Sequence, residues 1–193
     1  MRPLICSACL LSLLAPLASG QRLPPPQSPD VIGLYFDLEY YENCVDVAFL
    51  GHAYAWLVVS NQTHPMLSLD CRVDMVPETF YVAFWQMDEA WTNTVDAPDF
   101  ACQALAGPVV GEQVVVAMVD ILMLDVTNPV EIFIHPPEGG TTPHYGTESG
   151  LTIPLTGSSG SNPDIPVAFI NSWCSVIDAV EPMSWSAVKS LYR

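Results

Sequence analysis

The chain has 193 residues, with 21 acidic against 5 basic side chains and a net charge of −16. That balance excludes nucleic acid and anionic lipid as partners, because phosphate binding relies on Lys and Arg to displace counterions. It fits a solubilised extracellular protein, a salt-adapted one, or a calcium binder.

Met1-Arg2, an apolar segment from Leu4 to Leu17, and Ala18-Ser19-Gly20 have the order of a secretory signal peptide, residues 1–20, cut before Gln21. The segment is shorter than the ~20 apolar residues a membrane span needs, so no span is expected. Cleavage leaves 173 residues (193 minus 20), which suits one domain with a sizeable core. The expected location is extracellular, or periplasmic or at the cell surface if the source is bacterial.

Residues 21–30, QRLPPPQSPD, form a Pro-rich arm that cannot join a helix or an interior strand. The strand pattern then runs over 31–180. VIGLYFDL puts Ile32, Leu34, Phe36 and Leu38 on one face. CVDVAFL and AYAWLVVSN follow, the latter ending at Asn61-Gln62-Thr63, a glycosylation acceptor at Asn61 only if the source is eukaryotic. From Leu67 to Met75 the alternation is clean, with Leu69, Cys71 and Val73 toward a core and Asp70, Arg72 and Asp74 toward water.

TFYVAFWQM is apolar on both faces. Burying Phe80, Val82 and Phe84 leaves Tyr81 and Trp85 outward, where with Trp91 they make a candidate aromatic contact surface for a protein or glycan partner. The acidic stretch after it offers Asp88, Glu89, Asp96 and Asp99 as hard oxygen ligands for calcium, without the spacing of an EF-hand loop. Residues 111–136 carry a long β-branched run, a Thr127-Asn128-Pro129 break and a second alternating run. They predict a central hairpin that the rest packs around. Gly, Pro and Thr dominate 136–150, a surface loop. At the C-terminal end, Ser184 can cap a short helix within 181–193 whose Trp185, Val188 and Leu191 share one side.

About nine strands with frequent turn signals predict an all-β fold, an antiparallel β-sandwich with a short C-terminal helix; a closed barrel is the alternative. Four cysteines survive cleavage, Cys44, Cys71, Cys102 and Cys174, an even count that argues for two disulfides with three possible pairings. Cys71 on a core face and Cys102 in a short strand beside it favour Cys71–Cys102, leaving Cys44–Cys174.

The ordered series IGLYFD, YAWLVVSN, LSLDCRV, VVVAMVDILMLD, VEIFI and IPVAFINSWC resembles a group of small secreted bacterial proteins of unknown function. The middle of the chain is similar to cohesin-like, immunoglobulin-like sandwiches. This resemblance implies an extracellular module that binds or builds, with no binding residues carried over. GxSxG and HExxH are missing, and His52, His64, His135 and His144 lie at ordinary polar positions. The sequence therefore predicts a secreted, non-catalytic binding or structural module; the alternative is a secreted hydrolase, for example of glycans, working through two carboxylates.

Overall fold

The computed structural model describes residues 28–39, 41–172 and 174. The expected signal peptide, most of the Pro-rich arm and the terminal helix lie outside them.

Thirteen strands are found among the described residues. In chain order they are β1 (Val31–Tyr35), β2 (Cys44–Val45), β3 (His52–Ser60), β4 (Ser68–Val76), β5 (Tyr81–Met87), β6 (Trp91–Asn93) and β7 (Asp99–Ala104). There follow β8 (Gln113–Met123), β9 (Val130–His135), β10 (His144–Gly146), β11 (Thr152–Pro154), β12 (Thr156–Gly157) and β13 (Ala168–Ile170). A 3-10 turn, Glu78–Phe80, precedes β5 and is the only helical element among the described residues.

The strands form two sheets packed face to face. One has the order β12-β1-β3-β8-β5; the other runs β11-β10-β4-β9-β13-β2, with β7 on the far side of β4 and β6 beyond it. This is the expected β-sandwich, with more and shorter strands than expected. It is mixed rather than wholly antiparallel, because β1 pairs in parallel with β12 and β13 with β2.

Period-two patterning explains the layers. In β4, Leu69, Cys71, Val73 and Met75 are buried while Asp70, Arg72 and Asp74 are half-exposed. In β8, Val114, Val116, Val119, Ile121 and Met123 are buried against them. The shift of register between Leu57 and Val58 in the β3–β8 pair is a bulge. β1 is buried on both faces, since Tyr35 folds over Gly33 and meets Tyr41 edge-on at 5.1 Å. A Cβ on Gly33 would sit 2.5 Å from the Tyr35 hydroxyl, so glycine is what admits that ring.

The hairpin expected over 111–136 does not form. β8 pairs with β3 and β5, and β9 pairs with β4 and β13, so the chain crosses between sheets at the Thr127-Asn128-Pro129 break. Each run has an apolar face to bury, and placing one in each sheet lets Ile121 and Ile132 enter one core from opposite sides. The amide of Thr127 donates to the Asp125 carboxylate at 2.8 Å and fixes the turn; this backbone bond is the main cause of a lowered Asp125 pKa.

One disulfide joins Cys44 to Cys174, as expected. The expected Cys71–Cys102 bond is absent, and both thiols are free and buried. Register is the reason: Cys71 stands opposite Phe100 and Cys102 opposite Leu69, so the cysteines are diagonal neighbours. A diagonal spacing of ~7–8 Å exceeds the Cα separation a disulfide tolerates.

Candidate functional site: the outer face of the five-stranded sheet

The strand β5 is oriented opposite to the sequence expectation. Val82, Phe84 and Gln86 are exposed, with Phe84 at 59%, whereas Tyr81, Ala83, Trp85 and Met87 turn inward. Both faces are apolar, so periodicity alone leaves the choice open. The larger rings settle it: Trp85 meets Phe100 of the opposite sheet at 4.9 Å in a T-shaped contact, and the Tyr81 hydroxyl donates to the Met75 carbonyl at 2.9 Å. Burial raises the Tyr81 pKa to about 12. Trp91, the third residue of the expected aromatic surface, is 3% exposed and part of the core.

The exposed face is built in rows by the β5–β8–β3 register. Val82 lies beside Leu122 and His52, Phe84 beside Asp120 and Tyr54, and Gln86 beside Met118 and Trp56. Tyr54 is 50% exposed and Val82 38%. Asp120 is the one acid within these rows; it accepts from His52 Nδ1 at 2.6 Å, and the His52 ring stacks on Tyr54 at 6.2 Å. At one end, an open depression is lined by Trp56, Gln86, Met87, Met118, Asp88 and Glu89. At the other end Phe49, Leu50 and Leu124 are exposed. An apolar strip thus runs across the sheet with an acidic rim, and its chemistry is that of contact: surface to bury, few polar groups to desolvate, and carboxylates at the edge.

The outer face of the other sheet is ionic. Arg72 Nε donates to both oxygens of Asp74 at 2.8 and 3.0 Å and Arg72 Nη1 lies 3.5 Å from Asp99, while His135 Nδ1 meets Asp74 at 2.7 Å. The hydrogen bond that Arg72 donates to Asp74 is the largest cause of the raised Arg72 pKa. His144 stands 3.7 Å from Asp70, and Phe133 stacks on His135. These pairs are partly exposed to solvent, where ion pairs contribute little to stability.

The expected calcium ligands are not brought together. Asp88 accepts from the Ala90 amide in the turn after β5, and Asp99 belongs to β7 and faces Arg72. Glu89 is on the rim of the depression, and Asp96 accepts the Asp99 amide through its carbonyl. Among the described residues no three His, Cys, Asp or Glu side chains converge to hold a metal ion. Their closeness in sequence dissolves because a strand boundary falls between them. Asn61 occupies an exposed turn at φ 54°, and its side-chain amide donates to the Ser28 carbonyl.

Sequence reasoning missed Asp30. Its carboxylate accepts from the Thr63 amide and hydroxyl, both at 2.8 Å, and from the Tyr145 hydroxyl at 2.7 Å, clasping the start of β1 to the loop after β3 and to β10. The only signal was an Asp at the end of a Pro-rich arm.

No family model matches this chain, and no curated protein matches it. Its fold is shared with solved cohesin modules. The sixth cohesin of scaffoldin B from Acetivibrio cellulolyticus, solved in complex with a Cel5 dockerin mutant, is 9% identical. That match covers 75% of this chain and 99% of the cohesin with a TM-score of 0.52. A type II cohesin domain from the cellulosome of the same organism is 14% identical over 75% of this chain and 96% of its own, with a TM-score of 0.51. CaCohA2 from Clostridium acetobutylicum gives 0.50 at 7% identity, over 75% and 92%. The chain is therefore an all-β sandwich of cohesin-like fold.

Proposed function

We propose that this protein is an extracellular, non-catalytic module that binds another protein through the outer face of β3, β8 and β5. The observation that carries the reading is the patch of exposed Phe84, Val82 and Tyr54 on one sheet face, extended by Leu122, Met118 and Trp56 and interrupted by the His52–Asp120 pair and Gln86. Such a strip on an otherwise acidic body is the kind of surface that anchors a partner, with aromatic rings as the energetic centre. Asp88 and Glu89 at the rim favour a partner that brings basic groups beside an apolar anchor. Two further features support the reading: one neighbour in fold was solved with a dockerin bound, and the Cys44–Cys174 bond suits an oxidising compartment.

The test is capture of proteins from the source's culture medium on the immobilised, oxidised chain, with each captured partner then measured purified. Replacing Phe84 and Val82 by Ser is expected to abolish binding while the protein stays folded. Binding that survives this change but is lost in Arg72→Ala with Asp74→Ala would move the site to the ionic face. Turnover of a glycan substrate that disappears when rim carboxylates are changed to amides would overturn the non-catalytic reading.

A further inference from the structure

β5 is an edge strand: among the described residues it pairs with β8 alone. The phase of that pairing follows from two bonds at its ends, Leu124 N to Phe80 O at 2.7 Å and Asp88 N to Val116 O at 3.0 Å. In an antiparallel ladder, hydrogen-bonded positions alternate. Val82, Phe84 and Gln86 therefore direct their N–H and C=O groups to β8, and Tyr81, Ala83, Trp85 and Met87 direct theirs to the free edge. The side chains agree that this edge is open. Inward residues of β8 such as Val119, Ile121 and Met123 are wholly buried, whereas the inward residues of β5 are all partly exposed.

Edges of this kind are normally guarded by Lys, Pro, a bulge or an inward charge. The β5 sequence, YVAFWQM, has no Pro and no charged residue, in a chain of net charge −16. Its pairing with β8 runs from Tyr81↔Met123 to Met87↔Ala117 without a shift of register.

We propose that β5 pairs edge to edge with β5 of a second copy of this chain, antiparallel and centred on Phe84. This goes beyond the protein-binding reading and does not depend on it. The register is set by the phase. Placing Tyr81 opposite Met87 of the second copy, and Ala83 opposite its Trp85, pairs every free N–H and C=O of the strand. Shifts of the centre to residue 83 or 85 leave some unpaired. Phe84 then faces its own copy at a non-hydrogen-bonded position, where side chains approach most closely. The two five-stranded sheets become one, and the apolar strips of both copies join on the same side. A second copy suits the charge distribution, because the contacting strand itself carries no charge and the repulsion between two acidic bodies is left to its flanks. The remaining repulsion is local: Asp88 of one copy falls opposite Phe80 and Glu89 opposite Thr79 of the other, which brings Glu89 next to Glu78. Salt must therefore strengthen the association by screening.

The experiment is sedimentation velocity on the oxidised chain across protein concentration and salt. The expected result is a species of twice the monomer mass that increases with both. Ala83→Pro deletes an edge donor without touching the β8 ladder and is expected to give monomer with an unchanged fold by circular dichroism. Phe84→Cys is an independent check that leaves the backbone intact. Under mild oxidation it is expected to form a disulfide-linked dimer, while Tyr54→Cys, comparably exposed on the same face, is not. Monomer under all conditions, or a dimer with no preference for cross-linking at residue 84, would overturn the proposal. Ala83→Pro that is monomeric yet still captures the protein partner keeps the two readings separate.

Discussion

Replacing Cys44 and Cys174 by Ser tests how the fold holds its two ends. Cys44 begins β2, which runs parallel to β13, and Cys174 lies four residues beyond Ile170, the last residue of that strand. The bond closes a loop with a sequence separation of 130. In the chain-entropy treatment a loop of that size restricts the unfolded chain by about 5 kcal/mol at 25 °C. What remains without it is thin: two ladder pairs, the Val47 amide on Asn171 Oδ1 at 2.6 Å, and Asn43 Nδ2 on the Val167 carbonyl at 3.1 Å. With a urea slope of ~2 kcal/mol/M, the double variant is expected to unfold at a midpoint lower by ~2.5 M. Mild reduction of the native protein should give the same shift, since Cys71 and Cys102 carry no bond to break. A midpoint within ~0.5 M of the native one, at unchanged slope, would refute the reasoning and show that the β2–β13 strip frays without cost to the rest.

The buried thiols should resist alkylation at neutral pH until the chain unfolds. Burial is the leading cause that pushes the Cys102 thiol up to about 12 and Cys71 well above its ordinary value, and mass spectrometry after iodoacetamide treatment checks this. Burial likewise raises Tyr35 and Tyr81 to about 12, so above pH ~9 the folded state holds protons that the unfolded state has released. Stability is then expected to fall as pH rises from about 9 toward 12, read as a lower melting temperature at pH 10.5 than at pH 8. Asp30→Ala leaves the Thr63 and Tyr145 donors without their shared acceptor and should cost ~1–2 kcal/mol in urea unfolding, with Asp30→Asn recovering part of it. Because the acidic residues after β5 are dispersed, millimolar calcium is expected to leave the melting temperature unchanged relative to chelator.

Where a strand has one wet face, its orientation was legible: the alternation of Leu69 to Met75 against Asp70, Arg72 and Asp74 appears unchanged in β4. Where both faces are apolar it was not. Tyr81 to Met87 offers two apolar sets, and the choice depends on which rings find partners, Phe100 for Trp85 and the Met75 carbonyl for Tyr81. The Cys71–Cys102 pairing failed for a related reason. Core-facing positions can be read from one strand, but whether two of them are opposite or diagonal depends on inter-strand register, which no local pattern encodes. The assignment of β8 and β9 to different sheets is likewise a property of the assembled layers. The exposed strip itself was half legible, because an apolar strand with no charge signals a contact surface, although the residues named for it were the inward ones.

The most direct measurement compares Phe84→Ser with Trp85→Ser in urea unfolding and in partner binding. The account predicts that Trp85→Ser, which loses an inward ring packed on Phe100, is destabilised by ~2–4 kcal/mol. Phe84→Ser should stay within ~1 kcal/mol of the native protein while losing the bound partner. Equal destabilisation by both changes, or a Phe84→Ser protein that binds as the native one does, would contradict the claim that the outward face of β5 is a contact surface.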